Sequence, residues 1–94
     1  MSVVIVGGNE CMERQYADLC KSYSCKVKVF TKTSGSMKGV GNPNLVVIFT
    51  GTVSHKMLRS LESEIKGRDI TVARSRSGSM TALRTILEEN FGKS

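Results

Sequence analysis

The chain has a single histidine, His55, and it stands directly after Thr50-Gly51-Thr52-Val53-Ser54, a run of small and hydroxyl residues that follows the apolar stretch Leu45 to Phe49. An imidazole at the start of a helix could donate a hydrogen bond, serve as an acid or ligate a metal, and the helix N-terminus would tend to repel its proton. At 100° per residue His55 lies roughly 160° to 200° from the stripe Val53, Met57, Leu61, so it turns away from a core. A solvated histidine at a helix start accounts for the same pattern. One imidazole cannot build a His-rich centre, so no metal site is expected.

A second cluster is Arg74-Ser75-Arg76-Ser77-Gly78-Ser79. Two guanidinium groups, three hydroxyls and the free N–H groups of a following helix are the parts of a phosphate or carboxylate site. The plainer reading is that one serine caps the helix and the arginines are solvated. Gly7-Gly8-Asn9 is a weaker signal, because the third glycine of the dinucleotide fingerprint is missing and no acidic residue ends the second strand. Cys11 falls in a first helical turn, where a thiolate is favoured, but a nucleophile needs a base or an anion loop and neither is close in sequence. No catalytic residue is assigned.

These residues need elements to position them. Val3 to Val6 and Leu45 to Phe49 are continuous apolar runs, too short for helices and rich in β-branched residues, which suits central parallel strands covered on both faces. Cys25 to Phe30 alternates Lys26 and Lys28 with Val27 and Val29, as an edge strand does. Ile70 to Ala73 is a short fourth strand. Met12, Tyr16, Leu19, Cys20 and Tyr23 mark a helix from about Glu10 to Ser22, with Asn9 as N-cap and Glu10 and Glu13 in the first turn. Val53, Met57, Leu61 and Ile65 mark a second, stopped by Gly67, and Met80, Leu83, Ile86, Leu87 and Phe91 a third, stopped by Gly92. Thr31 to Asn42 holds three glycines and small polar residues before Pro43, with one helical turn expected at Ser36 to Val40. Right-handed crossovers then favour a four-stranded parallel sheet in the order 2-1-3-4 with helices on both faces, a small Rossmann-like or flavodoxin-like α/β sandwich. That order makes the chain reverse between the first and third strands, so a crevice is expected between Gly7-Gly8-Asn9 and Thr50 to His55.

Length and charge bound the rest. The 94 residues make a single α/β domain, residues 1–94, able to bury roughly 60 to 65% of the surface its unfolded chain exposes. Three cysteines without metal-ligand spacing suit reduced thiols, and no run approaches the length of a membrane span, so a cytoplasmic protein that does not engage membrane is expected. The net charge of +6 points to an anionic partner. Nucleic acid is disfavoured, because the basic residues are dispersed and only Tyr16, Tyr23, Phe30, Phe49 and Phe91 could stack. A homodimer is compatible with the sequence.

The segments Val3 to Gly8, Met12 to Tyr16, Val46 to Thr50 with Thr52 to Met57, and Arg74-Ser75 with Ser77 to Ser79 and Ala82-Leu83 resemble the short bacterial members of the domain-of-unknown-function 2325 family. The resemblance covers nearly the whole chain, and Thr52-Val53-Ser54-His55 is its most specific part. It implies no assigned activity, although a haem-binding, oxygen-related role has been suggested for some members. Asn9 and Arg76 stand where that pattern often has histidine, which leaves His55 as the imidazole for a haem.

The residues together describe a binding module for a small anionic ligand bearing phosphate or carboxylate, held by Asn9, Thr50, Thr52, Ser54, His55, Arg74, Arg76, Ser77 and Ser79. Two alternatives stand beside it: a haem protein with His55 as axial ligand, and a phosphoryl-handling enzyme using Cys11 or His55 as carrier.

Overall fold

The structure is a computed structural model and describes residues 1–30 and 43–92; the helical turn expected at Ser36 to Val40 lies outside them. Strands β1 (Ser2–Gly7), β2 (Lys26–Phe30), β3 (Leu45–Phe49) and β4 (Thr71–Ser75) form one parallel sheet in the order β2-β1-β3-β4. Helices α1 (Glu13–Ser22), α2 (His55–Ile65) and α3 (Met80–Phe91) cover it, and a single 3-10 turn, Glu10–Met12, leads into α1. This is the small Rossmann-like, flavodoxin-like sandwich that the pattern of apolar runs predicts. No helix among the described residues is long and apolar enough to cross a membrane.

The two central strands carry the core. All five residues of β3 are buried, as are Val3 to Gly7 of β1. Because strand side chains alternate, each strand feeds two cores. Val3, Ile5, Leu45, Val47 and Phe49 pack with Tyr16 and Cys20 of α1 and with Leu83, Ile86 and Leu87 of α3. Val4, Val6, Val46 and Ile48 pack with Leu61, Met57, Leu58 and Ile65 of α2 and with Val53 in the loop before it. Helices α1 and α3 therefore lie on one face and α2 on the other. Fully burying a side chain of this size contributes about 1.5–3 kcal/mol, so Phe49→Ala would cost on the order of 3–5 kcal/mol with its cavity.

The edge strands differ from the centre as their sequences require. In β2 Lys26 and Lys28 are exposed while Val27 and Val29 are half-buried against α1. Strand β4 runs two residues beyond the expected Ala73, because Arg74 and Ser75 find pairing partners in Ile48 and Phe49. The turn from α1 into β2 closes with Cys25 N–H donating to Cys20 C=O at 3.1 Å and Ser24 N–H donating to Lys21 C=O at 2.9 Å, with Ser24 at φ 59°. That pair of bonds is a Schellman motif with serine where glycine is usual, and it sets Cys20 and Cys25 together in the core. Burial, and secondarily Cys25, pushes the Cys20 thiol up to about 12, and burial likewise raises Cys25.

Candidate functional site

The loops after β1, β3 and β4 meet at the C-terminal edge of the sheet, where open α/β sheets place their ligands. The chain turns out of β1 through Gly7 and Gly8, at φ +87° and +86°. A Cβ on Gly8 would lie 2.9 Å from the Tyr16 ring and 3.0 Å from Phe49, so neither the backbone angle nor the space admits a side chain. The Gly8 N–H donates to Thr52 Oγ1 at 2.6 Å, and the Thr52 hydroxyl donates to Phe49 C=O at 3.2 Å. The expected crevice between β1 and β3 is thus a seam bridged by one threonine, because a hydroxyl at Thr52 satisfies the N–H that the Gly7-Gly8 turn exposes.

Tyr16 ties the third loop to this seam. Its ring is fully buried and stacks tilted on Phe49 with centroids 5.4 Å apart. Its hydroxyl accepts from Asn9 N–H at 3.2 Å and donates to Gly78 C=O. The loops after β3 and β4 also press together: a Cβ on Gly51 would come within 2.5 Å of the Arg76 carbonyl, and Thr50 N–H donates to Ser75 C=O at 2.7 Å. Three loops are therefore tied to one another by the Thr52 and Tyr16 hydroxyls and by the backbone bond from Thr50 to Ser75.

The sequence-derived site residues distribute over this frame as follows. Asn9, Thr50, Thr52, Ser54, His55, Arg74, Arg76, Ser77 and Ser79 all lie at the C-terminal edge and are exposed. Their hydroxyls and amides are partly engaged. Asn9 Oδ1 accepts from Cys11 N–H at 2.9 Å, starting the 3-10 turn rather than α1 itself. Ser54 and Ser79 cap α2 and α3 by accepting from Met57 and Ala82 N–H, both at 3.2 Å, as the capping reading of these serines requires. Ser77 Oγ accepts from Ser79 N–H at 3.2 Å. Each of these three serine hydroxyls accepts in that bond and keeps its own O–H for a ligand.

The frame does not gather everything at one point. Arg74 pairs with Ile48 and shares the α2 face with His55, the first residue of α2, whereas α3 starts on the opposite face. Cys11 is exposed near the start of α1, on the α3 side, and lines a groove of about 470 Å³ with Arg14, Val27 and Val29. Cys11 and His55 therefore approach the edge from opposite faces and do not form a pair.

The electrostatics of the edge are one-sided around the loops after β3 and β4, whereas the loop after β1 leads into Glu10 and Glu13. First-turn N–H groups lack intrahelical partners. After the two serine caps, those of His55 and Lys56 in α2 and of Met80 and Thr81 in α3 are the remaining ones. Neither first turn contains an acidic residue, although Asp and Glu are favoured there. No Asp or Glu occurs from Asn44 to Leu61 or from Ile70 to Leu87. The partial positive charge of both helix starts is left uncompensated by side chains and is augmented by Lys56, Arg74 and Arg76.

Haem fits these residues poorly. A macrocycle needs an apolar slot beside its axial ligand, whereas the neighbours of His55 in the chain, Ser54 and Lys56, are exposed, and Val53, Met57 and Leu58 are committed to the core beneath α2. Among the described residues no group of three or more His, Cys, Asp or Glu could hold a metal ion.

Two ties within the frame are not legible in the sequence. Tyr16 falls on the apolar stripe of α1 and reads as core, which it is, yet its hydroxyl joins two loops. Thr52 reads as a ligand contact, and the hydroxyl of this exposed residue also bridges the turn after β1 to the end of β3. The one sequence signal for both was the pair Gly7-Gly8, which marks a close backbone approach without naming what approaches.

A family model described as "Uncharacterized protein conserved in bacteria (DUF2325)" matches residues 2–90. No curated protein and no solved structure matches the chain.

Proposed function

The chain belongs to the DUF2325 family of uncharacterised bacterial proteins, and we propose that it is a module binding a small anionic ligand, phosphate- or carboxylate-bearing, over the ends of β1, β3 and β4. The observation that carries this reading is the absence of acidic residues from the first turns of both α2 and α3, with Arg74 on the α2 side of β4 and Arg76 in the loop that leads into α3. Helix starts normally recruit Asp or Glu; two that carry none, with Ser54 and Lys56 at one and Ser79 and Thr81 at the other, hold a field that an external anion would satisfy. The rigid loop frame supports it further, because donors held in place lose little entropy on binding. Ser54, Ser77 and Ser79 supply O–H donors, Asn9 an amide, His55 and Lys56 first-turn N–H groups, and the arginines planar forks suited to phosphate or carboxylate. Thr50 and Thr52 hold the loops. The free thiols at Cys11, Cys20 and Cys25 suit a reducing cytosol.

Heat denaturation at low ionic strength tests the reading. Inorganic phosphate, sulfate or a nucleotide raises the Tm of the wild type, and Arg74→Ala with Arg76→Ala loses most of that gain at unchanged helical content. A bidentate charge-assisted contact is worth roughly 1.5–3 kcal/mol, so affinity falls about ten- to hundredfold. Equal loss in Lys26→Ala with Lys28→Ala, on β2, would reduce the effect to general charge attraction.

A further inference from the structure

The end of the molecule opposite the anion rim carries a separate cavity. Helices α1 and α3 run back from the C-terminal edge of the sheet and finish side by side, and between their last turns lies an open cavity of about 640 Å³ lined by Leu19, Tyr23, Ser24, Arg84, Glu88 and Phe91 among others. That volume is in the range of small-molecule sites, roughly 300–1,000 Å³. Leu19, Tyr23 and Phe91, half-buried against the core, supply the apolar part of its lining. Its charged groups come from one face of α3, where Arg84 and Glu88 stand one turn apart, and Ser22 and Ser24 add hydroxyls from the end of α1. The Tyr23 hydroxyl donates to Glu88 Oε1 at 2.5 Å, and the other carboxylate oxygen lies beside Gly92, where a Cβ would stand only 2.5 Å from it. The phenol is the donor in that bond and holds the carboxylate in place. Two helix C-termini end here, and the negative ends of their dipoles favour a cation, although the Cys20, Lys21 and Glu88 carbonyls are already bonded within the protein.

We propose that this cavity binds a small zwitterion with an apolar substituent, of the class of free aliphatic or aromatic amino acids, its ammonium on Glu88 and the helix ends, its carboxylate on Arg84 and its apolar group on Leu19 and Phe91. Opposite charges one helical turn apart beside the half-buried Leu19 and Phe91 suit such a molecule and disfavour both a simple anion and a simple cation. The site is independent of the anion rim and shares no residue with it.

Titration of the ¹⁵N-labelled protein with L-leucine at low ionic strength tests it. Saturable amide shifts are expected at residues 19–24 and 84–92. Leucinamide, which lacks the carboxylate, and N-acetyl-leucine, which lacks the ammonium, should bind about tenfold more weakly, the worth of one charge-assisted contact. Arg84→Gln should erase the preference over leucinamide and Glu88→Gln the preference over N-acetyl-leucine, while Arg74→Ala with Arg76→Ala leaves leucine binding intact. Absence of shifts at millimolar leucine, shifts located elsewhere, or equal binding of the three compounds to the wild type would overturn the proposal without recourse to any variant.

Discussion

Removing the single oxygen of Tyr16 should loosen the candidate site more than its small size suggests. In Tyr16→Phe the ring keeps its volume, its burial and its stacking on Phe49, so the core loses no packing. What is lost is the hydroxyl that takes the Asn9 N–H and donates to the Gly78 carbonyl. Asn9 is exposed and its N–H can turn to water, but Gly78 is half-buried and its carbonyl has less access. One part-buried carbonyl left without its donor costs about 1–3 kcal/mol, and a value near 2 kcal/mol is expected. In a domain of this size each kcal/mol lowers Tm by roughly 4–8 °C, giving a fall of roughly 8–16 °C. Calorimetry on Tyr16→Phe and on Tyr23→Phe provides the comparison, since the Tyr23 hydroxyl meets Glu88 at the exposed surface and its loss should be far milder. Hydrogen exchange should also quicken around residues 7–9 and 76–79 in Tyr16→Phe alone. Equal stability losses in the two variants, or unchanged exchange in those loops, would refute the claim that one phenol ties the loops after β1 and β4.

Gly8→Ala should destabilise by about 3 kcal/mol or more, because it adds a Cβ within 3.0 Å of Tyr16 and Phe49 at a φ of +86°, whereas Gly67→Ala, at φ +79° with nothing within 4 Å, bears only the backbone strain; urea midpoints of the two variants separate the effects. Alkaline pH should weaken the fold. The Cys20 thiol is held above its ordinary 9.0, near 12, so its contribution is complete below pH 9.0 and is lost as pH rises towards 12. Cys20→Ala should therefore flatten the slope of stability against pH by up to one proton, a residual slope remaining from Cys25 and Tyr23, which shift in the same direction.

The fold was largely legible because its signals are local. Two apolar runs of strand length, four residues in β1 and five in β3, can only be central in a sheet of four, and the lysine alternation in β2 can only be an edge. Ser54 and Ser79 each stand just before an apolar helical stripe, and both cap. Where pairing rather than composition decides, the reading fell short: β4 extends to Ser75 because β3 offers Ile48 and Phe49 as partners, and the turn at Glu10–Met12 is 3-10 because Asn9 satisfies Cys11 rather than a later amide. The site was legible as a location and not as a set of contacts. Chain order places Arg74, His55 and Gly7-Gly8 at one edge, but the Thr52 bond to Gly8 spans 44 residues and that of Tyr16 to Gly78 spans 62, and no local pattern encodes them. The sides of the sheet were likewise open until α1 and α3 were seen on one face and α2 on the other.

The central claim, that the acid-free starts of α2 and α3 with Arg74 and Arg76 make an anion site, is tested most directly by titrating inorganic phosphate into the ¹⁵N-labelled protein at low ionic strength. The account predicts saturable shifts of the first-turn amides of His55, Lys56, Met80 and Thr81, lost in Arg74→Ala with Arg76→Ala. Shifts that never saturate, or that fall as strongly on Lys26 and Lys28 of β2 as on those four amides, would contradict it.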